Sequence, residues 1–292
     1  MTHFHDLYGR LTQALDAPGI ILPAAGVKLF RVGEDIPEAV KMYYADGITV
    51  TSCQAIRSAT LEDAVYLTKD NIGCVAAAIS LGLVDERQPV PLEGDREYTE
   101  IMRKASGKEG DFVPPAPADF TEGMVYACKD AGRKEFGLFG EEDSGRYATL
   151  EIARKAVGYM RSIQPPDIRG VFYFSPDFEE ADITPDIVVL SLRPVELCRV
   201  VQGYQYLTGE RVKADIGGVR AGCADLIVEP FMTGEINFSP YCLGARLIAK
   251  FEADRMGISM PFSIFETMVK GTENSMTGFP FPDYPGAIPS SG

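Results

Sequence analysis

The chain has no tryptophan, two histidines and six cysteines in 292 residues. Both histidines, His3 and His5, lie at the N-terminus in "HFH". A histidine-centred catalytic triad is therefore not expected, and His3 and His5 read as a solvated helix start. No serine stands in a Gly-x-Ser-x-Gly setting, which removes the common hydrolase elbow. Positive charge is scarce too: 28 Lys and Arg face 42 Asp and Glu, a formal charge of −14. An acidic surface repels phosphate backbones, so nucleic acid is excluded as a partner. Apolar runs such as "GCVAAAISLGLV" stop at about a dozen residues, short of the ~20 a bilayer span needs. With no signal-peptide pattern at the start, the expected location is cytoplasmic, without membrane contact. Thiols stay reduced there, which counts against a disulfide framework.

What is present is an ordinary globular composition with 46% hydrophobic residues, enough for one large core. The periodicity predicts helices over 4–16, 36–44, 73–83, 147–163, 194–207, 241–257 and 263–271, and a helical segment near 96–105. It predicts strands over 27–32, 47–52, 65–69, 124–129, 170–176, 186–192 and 211–216. Residues from 224 read as a short helix or strand. Strands and helices alternate through the second half. The expected class is α/β, with mixed α+β as its variant: a mixed β-sheet flanked by helices in a single domain over 1–292. An irregular proline-rich excursion is expected at about 84–122 and an irregular tail at about 272–292.

The cysteines divide by context. Cys128 in "VYACK" and Cys198 in "VELCRVV" sit at core-like spacing, where a free thiol behaves as a small hydrophobe. Cys53, Cys74, Cys223 and Cys242 fall at element ends, Cys53 after a strand and Cys74 and Cys242 at helix starts. Helix N-termini favour the thiolate, the form that binds metals. Cys53 and Cys242 each have an arginine four residues on, Arg57 and Arg246; Cys74 and Cys223 each follow a glycine, Gly73 and Gly222. Each pair joins one Cys-x-x-x-Arg to one Gly-Cys, and together they offer four thiolates to one centre. The spacings near twenty residues match no established ligand code, and core filler remains the bland alternative.

These segments, "TSCQAIRSA", "GCVAAAISLGL", "TPDIVVLSLRPVEL" and "AGCADLIVEPFMTGEINFSPYCLGAR", resemble an uncharacterised archaeal and bacterial family, the one numbered 169 among domains of unknown function. The resemblance runs from about residue 25 to 270. It implies that Cys53, Cys74, Cys223 and Cys242 belong to the family's pattern and that Cys128 and Cys198 do not. It implies no activity.

Four thiolates suit a 4Fe–4S cluster or a tetrahedral zinc ion. The flanks favour the cluster: Gly73, Gly222 and Gly244 allow close backbone approach, and Arg57 and Arg246 could offset its charge. The expectation is an iron–sulfur, metal-binding protein of an anaerobic prokaryote with a redox or cofactor-linked role. Its partner would be a redox protein or a small-molecule substrate, and homo-oligomers are open. The alternatives are a metal-free thiol enzyme or small-molecule binder, with Cys242 or Cys74 as nucleophile, and a structural zinc protein. "KADIGGVRAG" matches no nucleotide-binding pattern and reads as a turn delivering Cys223. Asp225, Glu229 and Glu235 read as solvated or salt-bridged, and "GEEDSGRY" as an exposed turn.

Overall fold

The computed structural model describes residues 2–15, 22–44, 46–84, 167–218 and 220–275, together with 152, 155, 156, 159 and 161–163. The excursion at 85–122, the strand over 124–129 with Cys128, ten of the seventeen residues of the helix over 147–163, and the tail from 276 lie outside the described residues.

In chain order the elements are α1 (His3–Ala14), β1 (Ala24–Arg31), α2 (Glu38–Lys41), α3 (Ser52–Ala59), β2 (Ala64–Leu67), α4 (Val75–Ser80), β3 (Ile168–Phe174), β4 (Ile187–Leu192) and α5 (Pro194–Thr208). A π-helical turn (Ala224–Val228) then runs into α6 (Glu229–Thr233), followed by β5 (Asn237–Ser239), α7 (Leu243–Ile248), β6 (Met256–Pro261) and α8 (Phe262–Asn274). The strands form one six-stranded sheet in the order β2-β3-β1-β4-β6-β5. The class expected from the sequence holds. All of its strand pairings are antiparallel, which narrows the mixed sheet to the α+β variant.

Helices cover both faces of the sheet, so its strands are apolar on both sides. Successive side chains point to opposite faces. Val27 and Leu29 of β1, Val171 and Tyr173 of β3, and Ile187 and Val189 of β4 join one buried cluster with α3, α4 and the π-turn. Phe30, Phe172, Phe174, Val188 and Leu190 join the other, with Phe4 and Leu11 of α1, Val200 of α5 and Phe265 and Met268 of α8. On this second face α5 and α8 cross closely. A Cβ on Gly271 would lie 1.9 Å from the Gly203 carbonyl oxygen, and one on Gly203 would lie 2.2 Å from Thr272 Oγ1. Arg199, buried on α5, donates to the carbonyls of Thr272 and Ser275 at 2.6 and 2.7 Å, satisfying acceptors that the end of α8 leaves open.

Four sequence expectations are corrected. The strand over 47–52 reduces to one bridge between Val50 and Ile72, because Thr51 and Gln54 form a capping box that starts α3 at Ser52. The strand over 211–216 has no ladder; the Asn237 side chain takes both the N–H and the carbonyl of Asp215, each at 2.9 Å. The helix over 241–257 ends at Ile248. Beyond it Lys250 turns left-handed at φ 59°, Phe251 stacks on Tyr241 at 4.0 Å, and β6 pairs between β4 and β5. Helix-forming residues in "ARLIAKFEADRM" are overridden by tertiary packing there. Cys198 is exposed on α5, not a core residue.

Candidate thiol site

The four element-end cysteines meet on one face of the sheet. Cys223 is 4% exposed within the first buried cluster, and Cys53, Cys74 and Cys242 pack half-buried against that cluster. All four are free thiols. Cys53 stands in the first turn of α3, not after a strand. Cys74 is the N-cap of α4, Cys223 precedes the π-turn, and Cys242 is the N-cap of α7. Cys53, Cys74 and Cys242 thus sit where backbone N–H groups lack intrahelical partners, whereas the Ala224 N–H after Cys223 donates to the Arg220 carbonyl at 2.8 Å.

The thiols act on one another in every pairing. A side-chain hydrogen bond with Cys242, then burial, then Cys223, Cys242 and Cys74 raise the Cys53 pKa well above the ordinary thiol value. Burial raises Cys74, while the N–H groups of Ala77 and Ala76 and the Arg220 guanidinium pull the other way. Burial first and Cys74 next push Cys223 up to about 12, against Arg220 and the Ser80 hydroxyl. The Cys223 thiol also donates to the Arg220 carbonyl at 3.6 Å. Beneath them Tyr173 of β3 is fully buried, its hydroxyl 2.8 Å from Ser52 Oγ. Burial raises its pKa, and Cys223 and Cys53 add to the rise. Among the described residues, no three or more His, Cys, Asp or Glu side chains are disposed around a single metal-ion position.

The backbone around the thiols is unusual in two ways. Non-glycine residues with positive φ are uncommon and cluster at functional sites. Those described are Glu62, Arg220 (56°), Tyr241 (61°) and Lys250. Arg220 stands three residues before Cys223 and Tyr241 immediately before Cys242. The π-turn after Cys223 is the second feature; such turns are rare and frequent at functional sites. It buries Asp225, which accepts from Gly217 N–H at 3.1 Å. Burial raises the Asp225 pKa to about 7, with Asp215, Cys242 and Glu229 adding to the rise. The solvated reading of Asp225 is therefore corrected.

The expected flanking residues fall differently. Gly222 makes the close approach expected of it: a Cβ there would lie 2.7 Å from Cys53 Sγ. Gly73 approaches Thr49 and Val50 at ordinary distances, and Gly244 lies in the first turn of α7. Arg57 binds Glu252 through both terminal nitrogens, at 3.2 and 2.6 Å. Arg246 donates to the carbonyls of Glu252, Pro240 and Arg255. Both arginines hold the 249–255 loop. Arg220, Tyr173 and Ser52 were missed from the sequence. Ser52 adjoins Cys53 and Arg220 stands in "GGVRAGC", but nothing in a strand such as "GVFYF" marks Tyr173 as a neighbour of thiols. Away from the site, His3 bonds Glu266 at 2.7 Å, and His5 Nδ1 lies 2.9 Å from an Asp177 carboxylate oxygen. Glu229 pairs with Arg161 at 2.9 Å.

A mixed α/β fold with four free thiols gathered at helix starts is thus the class of protein defined. The chain belongs to the family described as Uncharacterised ArCR, domain of unknown function 169, whose model matches residues 23–271. It is 24% identical over 253 residues to an uncharacterized protein of Methanocaldococcus jannaschii, covering 86% of this chain and 87% of that one. No solved structure matches it. Among the described residues no helix is long and apolar enough to cross a membrane.

Proposed function

We propose that Cys53, Cys74, Cys223 and Cys242 hold a 4Fe–4S cluster, and that the protein has a cytoplasmic redox or cofactor-linked role. The observation that carries this reading is the meeting of four free thiols, two from each end of the chain, at four helix starts. A cubane places its four cysteine sulfurs farther apart than the ligands of one ion, one at each corner iron. Four cysteines match its count of one thiolate per corner iron. The N–H groups of Ala76 and Ala77 face the Cys74 sulfur and supply the hydrogen bonds that tune thiolate-bound iron. Cys223 and the apolar cluster beneath it give such a centre a dry floor. When bound, the cluster would supply one-electron transfer; the four cysteines would hold it, and the N–H groups of Ala76 and Ala77 would hydrogen-bond the Cys74 sulfur.

The Cys53–Cys242 contact favours a second reading, metal-free thiol chemistry. It ranks lower for Cys74, because a reactive thiol has a lowered pKa whereas burial raises that of Cys74. Binding a metal turns this burden into stability, since its charge offsets thiolates that burial disfavours.

The test is anaerobic purification and reconstitution with iron and sulfide, followed by iron, sulfide and zinc analysis. Bound iron and sulfide with visible absorption, lost in Cys→Ser variants of each of the four, are expected. Colourless, iron-free protein would sink the reading. Equimolar zinc in its place would favour a structural metal, and one fast-alkylating cysteine a thiol enzyme.

A further inference from the structure

We propose that Cys53 and Cys242 are a reversible dithiol–disulfide couple, held side by side by the two arginines that follow them. The inference does not rest on the cluster reading above. Each arginine stands four residues after its cysteine, one helical turn along the same face. Arg57 grips the Glu252 carboxylate through both terminal nitrogens, at 3.2 and 2.6 Å. Arg246 donates to the backbone carbonyl of the same residue at 2.6 Å. A row of rings doubles this grip. Arg57 lies 5.9 Å over the Phe251 ring, Phe251 stacks on Tyr241 at 4.0 Å, and Arg246 lies 5.6 Å over Tyr241. Tyr241 immediately precedes Cys242. Residues 251 and 252 thus clasp α3 to α7, which touch. The repeated Cys-x-x-x-Arg spacing then has a use: it places a thiol one turn from each grip.

The clasp brings the two thiols into a side-chain hydrogen bond, and both are half-buried, within reach of a small reagent. Thiols already in contact on packed elements need only side-chain rotation to reach the ~2.05 Å sulfur–sulfur bond. The oxidant is a low-molecular-weight disulfide. One protein thiol, as its thiolate, attacks that reagent and forms a mixed disulfide, and the small thiol released takes up the proton. The second protein thiol displaces the other small thiol in the same way and closes Cys53–Cys242. Two protein thiols are oxidised, one reagent disulfide is reduced to two thiols, and the proton count is unchanged. In a reducing compartment such bonds are transient and serve redox sensing. Closure withdraws two of the four gathered thiols, so a metal could load only on the reduced protein.

The experiment takes the full-length, metal-free, reduced protein and exposes it anaerobically to oxidised glutathione at stepped ratios to the reduced form. Thiols are counted after denaturation, and linked peptides are mapped by mass spectrometry. The expected result is loss of two of the six thiols, one linked peptide joining Cys53 to Cys242, and full recovery with dithiothreitol. Cys53→Ser and Cys242→Ser should each stop at a glutathione adduct on the remaining partner, while Cys198→Ser behaves as wild type. Glu252→Gln, checked for folding by circular dichroism, should slow closure several-fold. Six thiols unchanged, linkage through other cysteines, or adducts that never close overturn the proposal, and closure in Glu252→Gln as fast as in wild type overturns the clasp. The count needs no iron. A wild type that closes the bond but binds no iron when reduced removes the cluster reading alone, which separates the two failures.

Discussion

Replacing Gly222 by alanine adds one methyl group directly against a sulfur. The new Cβ would stand 2.7 Å from Cys53 Sγ and 3.9 Å from Cys53 Cβ. Nonbonded atoms of this size rest at about 3.5–4.0 Å, so roughly 1 Å must be found. Rotating Cys53 away breaks its hydrogen bond to Cys242. Backing the loop away disturbs Ala221, which is fully buried, and Cys223. Overpacking of this kind costs about 1–3 kcal/mol, a fall of roughly 2–6 °C in melting temperature for a chain this long. The larger effect is on the centre, because the methyl group displaces one of four sulfurs while the sheet is untouched.

Gly73→Ala is the matched control. Its added Cβ meets Thr49 and Val50 at 3.4–3.5 Å, an ordinary contact, so it should change stability by less than ~0.5 kcal/mol. Both variants are reconstituted anaerobically, and iron content is read beside thermal melts and alkylation of Cys53. Loss of iron in Gly222→Ala, with iron retained in Gly73→Ala, is expected. If Gly222→Ala binds iron and melts like wild type, the claim that residue 222 shapes the site through Cys53 is refuted.

Asp225 gives a pH prediction for the metal-free protein. Its folded pKa of about 7 lies above the ordinary value of 3.8, so the unfolded chain loses this proton first as pH rises. Stability should therefore fall between about pH 4 and 7 and level off above, by at most ~4 kcal/mol from this group. Asp225→Asn should match wild type near pH 4, exceed it at pH 8 and flatten the slope in urea melts. Gly271→Ala drives a Cβ to 1.9 Å from the Gly203 carbonyl and should lower stability by about 3 kcal/mol or more, measured by urea titration. Arg246→Lys keeps the charge but cannot span the carbonyls of Glu252, Pro240 and Arg255. It should speed hydrogen exchange over 249–255 nearly as much as Arg246→Met; protection equal to wild type would show that charge alone suffices.

Long apolar elements were legible in the sequence because tertiary context agreed with local pattern. The strands at 168–174 and 187–192 and the helix at 194–208 fall within two residues of their predicted bounds. Misreadings arose where a side chain stands in for backbone or where a loop is held from outside. Asn237 imitates a strand partner for Asp215. Arg246 gathers carbonyls from a loop whose letters spell helix. β5 is three residues long, "NFS", and carries too little pattern to declare itself. The grouping of the four cysteines was legible through their shared position at element ends. The neighbours that set their electrostatics were not, because Tyr173 and Ser80 come from segments whose local sequence is dictated by core packing.

The strand order explains why the two cysteine pairs can meet. β1 lies between β3 and β4, and β2 occupies the edge beyond β3. Elements from both ends of the chain therefore share each face of the sheet. On the first face, α3 packs over β2, β3 and β1 and touches α7, while the π-turn packs over β4, β5 and β6 and touches α4. Cys53 and Cys74 thus arrive from one side, and Cys223 and Cys242 from the other. The ends that converge are helix starts, whose dipoles point positive partial charge inward. The loops that bring them there hold two left-handed residues, Arg220 and Tyr241, which a chain built only for stability would replace with glycine. This convergence of four free thiols on one face is what the proposed thiolate centre rests on. Burial and the neighbouring thiols together raise the cost of ionising Cys53, Cys74 and Cys223.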